Sequence, residues 1–202
     1  MKGFSKDKKP KKKRDETVTF AVPYTETEKN KLITPVKEKI ITEAVNYHTQ
    51  GKISEAVKCY KYFLDKGFLD PIVLSNYGVI FHQLGKVDKA IELYRKCIVS
   101  FPKHPDSYSN LGIILKDKGE LEEAELITRK AIELKPDYAD AYSNLGNILQ
   151  DLRKSEESKI CAYKALELSP RNANFHNNLG NILKDLGKFE EAEESIRKAI
   201  EI

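Results

Sequence analysis

The sequence predicts an all-α fold, a solenoid of antiparallel helix pairs stacked in a row. Three observations carry that reading. Gly78, Gly112, Gly146 and Gly180 recur every 34 residues without slippage, and a fixed period of this size marks stacked units rather than one mixed core. Within a unit, apolar residues follow helical spacing in two blocks, as in Tyr77, Phe81 and Leu84 followed by Val87, Ile91, Tyr94 and Ile98. Between the blocks stands a glycine (Gly51, Gly85, Gly119, Gly187), the residue that ends a helix in the left-handed conformation at least cost.

Taken in order, residues 1–34 lack the period and read as a basic disordered tail and linker, the first 16 residues most clearly. Thr17–Tyr24 alternates like a strand without an evident pairing partner, and Thr25 with Glu28 forms a capping-box pattern for a short helical turn. Thr34 and Pro35 are expected to start the first helix of an array over residues 35–202. With the recurrent glycine placed eighth, the units are 37–70, 71–104, 105–138, 139–172 and 173–202. Pro71 and Pro105 fall just inside helix starts, where a missing N–H costs nothing. Pro102, Pro136 and Pro170 close three units. Position 20 is small throughout (Ala56, Ala90, Ala124, Ser158, Ala192), and position 27 reads Phe63, Cys97, Ala131, Ala165, Ala199. Helix axes approach to about 8–10 Å only where such side chains leave room. One pair could not stand alone. Roughly six buried side chains at ~1.5–3 kcal/mol each do not offset ordering a unit at ~1–2 kcal/mol per residue, so stability must be shared between neighbours.

These residues resemble the tetratricopeptide repeat family: the period, the small residues at positions 8, 20 and 27, and the closing proline are its pattern. The resemblance covers residues 37–202 and implies a right-handed superhelical solenoid whose concave groove receives partners. Two departures stand out. Position 4, usually aromatic, reads Leu74, Tyr108, Tyr142 and His176. The fourth unit has Arg153 in place of the turn glycine, Ser155 where the others carry an apolar residue, and Ser158 and Ala162 in its packing face. It is expected to be the least stable unit and to open first in hydrogen exchange.

Positions 2, 5, 6, 9, 12 and 13 share one helix face by the 3.6-residue turn, and the resemblance implies that this face lines the groove. Position 6 holds Asn76, Asn110, Asn144 and Asn178 after Thr42; position 9 changes from Val45, Val79 and Ile113 to Asn147 and Asn181; position 5 is Ser75, Ser109, Ser143 and then Asn177. A carboxamide both donates and accepts, so it can bridge a peptide backbone of any sequence. Helices ~10 Å apart would offer one amide per three residues of a strand rising ~3.3 Å each. Asn76, Asn110, Asn144, Asn147, Asn178 and Asn181 are therefore the candidate peptide-binding residues. The row is similar to the superhelical arm of protein O-GlcNAc transferases, in which equivalent asparagines hold substrate backbone. A clamp for a C-terminal carboxylate needs basic residues here, but position 2 offers Glu38, Ile72, Asp106, Asp140 and Asn174, and only Lys116 and Lys184 appear, at position 12.

No catalytic constellation is legible, so the chain is read as a non-enzyme without cofactor or small-molecule substrate. Cys59, Cys97 and Cys161 are widely spaced and form no CxxC pair; they read as packing thiols of a reducing compartment. His48 and His82 share position 12 of adjacent units and could face one another, yet a metal needs three or four ligands. The net charge of +4 is uneven. Residues 1–14 carry eight Lys/Arg against Asp7, which leaves the rest slightly acidic. Lys8–Arg14 resembles a nuclear import signal, would touch nucleic acid weakly by charge alone, and reads first as a solvated tail. No apolar run reaches the length of a spanning helix, and the basic start lacks the continuous apolar stretch of a secretory signal, so a cytoplasmic location is expected, with nuclear import through the basic tail open to it in a eukaryotic host. The last unit stops at Ile202 without a polar capping helix; this predicts a longer parent protein or self-association through that end. The function expected is a protein-interaction scaffold binding extended segments in an Asn-lined groove; the alternative is the recruiting arm of a longer glycosyltransferase.

Overall fold

The computed structural model describes residues 26–202, with side chains from Thr34 onward. The basic run, the Thr17–Tyr24 segment and the Thr25 cap lie outside the described residues. The chain divides at Pro35 into two units, Met1–Pro35 and Val36–Ile202. Ten helices are present among the described residues, and no strand: α1 Glu26–Thr49, α2 Ile53–Asp65, α3 Pro71–Gln83, α4 Val87–Ser100, α5 Pro105–Asp117, α6 Leu121–Leu134, α7 Ala139–Asp151, α8 Ser155–Leu168, α9 Ala173–Asp185 and α10 Phe189–Glu201. Odd-numbered helices are the first of each pair and even-numbered ones the second. Each pair packs together and then against the following first helix, as α3 does with α4 and α4 with α5.

One helix start differs from expectation. α1 does not begin at Thr34–Pro35; it starts at Glu26 and carries Pro35 within it. A proline inside a helix removes one i→i−4 hydrogen bond and disfavours a helical residue before it. Thr34–Pro35 therefore reads as a start from sequence, although the helix passes through it.

Each turn within a pair is a six-residue C-terminal cap. In the second unit Lys86 N–H donates to Phe81 O at 2.8 Å and Gly85 N–H to His82 O at 2.9 Å, with Gly85 at φ +70°. The fourth unit keeps both bonds with Arg153 in the glycine's place: Lys154 N–H reaches Leu149 O at 2.8 Å and Arg153 N–H reaches Gln150 O at 2.9 Å. Arg153 is the non-glycine residue with positive φ among the described residues, at 61°.

The pairs are closed by contact between positions 8 and 24. A methyl group on Gly78 would lie 2.7 Å from the Tyr94 ring, and one on Gly180 would lie 2.6 Å from Ile196 Cγ1. At Gly112 the obstruction is Thr128 Oγ1, which the methyl would overlap. Gly146 is looser, with Ser158 O nearest at 3.4 Å, because Ala162 occupies position 24 there. Ser158 is fully buried but not idle: its hydroxyl donates to Gly146 O at 2.7 Å, tying α8 to α7. The small packing residues of the fourth unit are thus partly offset by a side-chain bond, as the fifth unit is tied by Ser195 Oγ donating to His176 O at 2.9 Å. Position 4 links consecutive units. Tyr108 Oη donates to Pro102 O at 3.0 Å, and His176 Nε2 lies 3.0 Å from Pro170 O, which requires the Nε2–H tautomer.

Candidate functional site

The first helices expose one repeating stripe. In α7 the partly or fully exposed residues include Asp140, Asn144, Asn147 and Asp151, while Ser143, Leu145, Gly146, Ile148 and Leu149 are buried. Those four are positions 2, 6, 9 and 13, spaced i, i+4, i+7 and i+11, a single helix face. The same positions are open in α5 (Asp106, Asn110, Ile113, Asp117), in α3 (Ile72, Asn76, Val79, Gln83) and in α9 (Asn174, Asn178, Asn181, Asp185). Consecutive first helices touch, α3 with α5, α5 with α7 and α7 with α9, so the stripes lie side by side and form one wall.

Within the wall the asparagine row is held by its neighbours. Asn144 Nδ2 donates to Ser109 Oγ at 3.0 Å, Asn178 Nδ2 to Ser143 Oγ at 2.9 Å, and Asn110 Nδ2 to Ser75 Oγ at a long 3.4 Å. Each bond joins position 6 of one unit to position 5 of the unit before. The position-5 serines do not line the wall as the face count implies: Ser75, Ser109 and Ser143 are buried beneath the next asparagine. Only Asn177 of that row is exposed. Every such amide spends one N–H internally, keeping its second N–H and its carbonyl oxygen. The bond also fixes the amide's rotamer, which lowers the ordering cost of engaging a ligand. Asn147 and Asn181 make no side-chain hydrogen bond to other described residues; Asn147 is half-buried and Asn181 exposed. Asn76 begins the row, bordering buried Tyr60. Burial raises the pKa of that phenol and the nearby Asn76 amide opposes the shift, yet the Tyr60 hydroxyl makes no well-formed hydrogen bond.

One margin of the wall is acidic and partly matched. His82 Nε2 is 3.9 Å from Asp117 Oδ2, and Lys116 Nζ is 3.2 Å from Asp117 Oδ1 and 3.6 Å from Asp151 Oδ2. Gln150 donates to Asp185 Oδ2 in the same sense. Position 12 of one unit thus meets position 13 of the next. On the opposite margin Asp106 sits 3.7 Å from His104 Nε2. Burial, and Asp106 after it, push the Tyr138 hydroxyl well above its usual range.

The two position-12 histidines do not face one another. His48 packs edge-on against Tyr60, with ring centroids 6.3 Å apart, and burial lowers its pKa; His82 points to Asp117. The thiols are packing groups. Cys97 is fully buried and Cys161 nearly so, and burial pushes the Cys161 thiol up to about 11, far from the thiolate that nucleophilic chemistry needs. Sequence reasoning missed the serine–asparagine pairing, although its signal is present. Ser75/Asn110, Ser109/Asn144 and Ser143/Asn178 stand 35 residues apart, one residue beyond the period. The side-chain caps of α3 by Asp70 (2.8 Å to Ile72 N–H) and of α9 by Asn172 (3.0 Å to Asn174 N–H) were also missed.

Comparison with known proteins identifies the repeats. Five family models, described as tetratricopeptide repeat or TPR repeat, match residues 42–105, 93–125, 114–152, 139–172 and 173–202. Together they run unbroken from 42 to 202. No curated protein matches the sequence. Among solved structures, the chain is similar to TTC0263, a thermophilic TPR protein of Thermus thermophilus, with 21% identity and a TM-score of 0.70 over 82% of this chain and 90% of that one. It is similar to MamA from residue 41 onward of Desulfovibrio magneticus RS-1, with 21% identity and a TM-score of 0.68 over 82% and 93%. A further MamA crystal structure shares 24% identity, with a TM-score of 0.65 over 78% and 92%. At these identities the likeness is one of fold. No described helix is long and apolar enough to cross a membrane.

Proposed function

We propose that this chain, which belongs to the tetratricopeptide repeat family, is a protein-interaction scaffold that holds an extended polypeptide segment along its wall of first helices. The observation that carries the proposal is the asparagine row: three consecutive, partly exposed amides, each with one N–H tethered to a serine and its second N–H and carbonyl oxygen left over. Tethered amides at regular spacing suit a backbone that repeats its own donors and acceptors regardless of side chains. Asn76, Asn110, Asn144, Asn147, Asn178 and Asn181 are the residues assigned to the contact.

The tether also supplies the test. Ser109→Ala/Ser143→Ala and Asn144→Ala/Asn178→Ala both break the same two hydrogen bonds, costing about 0.5–1.5 kcal/mol of stability per bond. Only the asparagine pair removes amides from the wall. Binding is measured to peptides of about 15 residues, the reach of five units at ~10 Å against ~3.3 Å per residue, selected from a displayed random library. The asparagine variant should lose about tenfold in affinity, one hydrogen bond's net worth or slightly more, and the serine variant much less. Equal losses would mean that the amides only hold helices together.

The same row favours a second reading, the substrate-recruiting arm of a glycosyltransferase. Transfer of a sugar from a nucleotide-sugar donor by a native complex containing this chain, lost with the asparagine variant, would favour it; a native complex without such activity would leave the scaffold alone.

A further inference from the structure

The stripe is not uniform along its length. Position 9 is aliphatic and half-buried in the first three units, as Val45, Val79 and Ile113, and becomes Asn147 and Asn181 in the last two. At position 2 an aliphatic residue stands in the second unit alone, where Ile72 is 47% exposed on the wall; Glu38, Asp106, Asp140 and Asn174 hold that place in the first, third, fourth and fifth. In the second unit the whole stripe reads Ile72, Asn76, Val79 and Gln83, without a charge; in the fifth it reads Asn174, Asn178, Asn181 and Asp185, without an aliphatic group.

We infer that the segment received by this wall is itself two-part: branched aliphatic side chains over the second and third units, and polar uncharged side chains over the fourth and fifth. The inference rests on the proposed function above and specifies its ligand. Discrimination works at both ends. An aliphatic side chain laid over Asn147 or Asn181 desolvates an amide without giving it a partner, which costs more than the contact returns. A polar side chain laid over Val79 and Ile72 forfeits the apolar burial available there. A site that needs a hydrogen bond rejects a ligand lacking it far more sharply than an apolar site rejects a methylene change, so the polar half sets the stricter requirement. The carboxylates of Asp117, Asp151 and Asp185 along one margin, only partly met by Lys116, His82 and Gln150, turn acidic side chains away from the third to fifth units.

The test reads sequence rather than affinity alone. The full chain is used to select binders from a displayed random library of about 15 residues, the span estimated from helix spacing and strand rise, as wild type, as Val79→Asn/Ile113→Asn and as Asn147→Val/Asn181→Val. Wild-type binders should concentrate aliphatic residues in one half and Ser, Thr, Asn or Gln in the other. The first variant should bind wild-type peptides about tenfold more weakly and select polar residues throughout; the second should select aliphatic residues throughout. Thermal melting confirms that each variant is folded, and if the first is not, the second carries the test alone. Binders without segregation, or variants that select wild-type sequences, overturn the two-part ligand while leaving the scaffold reading intact. Recovery of no binder by any form overturns both.

Discussion

Replacing Arg153 by glycine should stabilise the array, because this arginine occupies a conformation that four other units assign to glycine. The left-handed region costs a residue with a Cβ about 1–2 kcal/mol. Glycine gives back roughly 0.5–1 kcal/mol through the greater freedom of its unfolded chain. The expected gain from Arg153→Gly is therefore about 0.5–1 kcal/mol, near the middle of the difference between those ranges. Nothing in the native contacts opposes it. Arg153 is exposed, its side chain makes no hydrogen bond or ion pair to other described residues, and the two cap bonds at 2.9 and 2.8 Å use backbone atoms alone. The control is Arg153→Ala, which removes the long side chain but keeps the Cβ; it should match wild type within a few tenths of a kcal/mol. Urea denaturation gives the global value. Amide exchange across α7 and α8 gives the local one, and it should slow first there because stability in a stacked array is set unit by unit. If alanine stabilises as much as glycine, the effect belongs to the side chain and the strain argument is wrong. If glycine gives no gain, the backbone at this turn is not strained.

Other outcomes follow from the same packing. Gly112→Ala should destabilise by about 1–3 kcal/mol from overpacking, since the new methyl meets Thr128 Oγ1. Gly146→Ala should be nearly neutral, and Gly112→Ala/Thr128→Ala should recover most of the loss; denaturant midpoints of the three decide. Glu125 accepts hydrogen bonds from Lys154 (2.8 Å) and Arg129 (2.8 Å), and Lys154 first among these partners holds its carboxyl below the usual range. A depressed folded pKa adds stability that is complete above the unfolded value of about 4.3 and vanishes as pH falls through the folded one. The stability difference between wild type and Glu125→Gln should accordingly shrink below pH 4 and be flat from pH 6 to 8. A difference that grows on acidification would contradict the assignment.

Much of this was legible because the array writes each structural demand several times. Four glycines in register are enough to place every helix pair, and the substitution of Arg153 is visible as a fault only against the other turns. The stripe at positions 2, 6 and 9 followed from helical periodicity. Sequence overreached at position 5, because a helix wheel cannot tell an open residue from one roofed by the next unit. The serines are roofed because asparagines 35 residues later bend over them, a relation between units rather than within one. α1 was cut short for the opposite reason: Pro35 argues locally for a start, and its helix carries on regardless.

The ties between consecutive units are of two chemical kinds. First helices are joined chiefly by neutral amide-to-hydroxyl bonds, two of them short and shielded, with the longer Lys116–Asp151 contact at 3.6 Å on the margin. Second helices are joined by Arg95 to Glu123 at 3.2 Å and Arg129 to Glu157 at 2.8 Å, all four side chains roughly half exposed. Dissolved electrolyte weakens the second kind and leaves the first almost untouched. The array is thereby a laminate with one leaf tied mainly by neutral bonds and one tied by exposed ion pairs that soften as ionic strength rises, and the ligand-facing leaf is the one that better keeps its spacing.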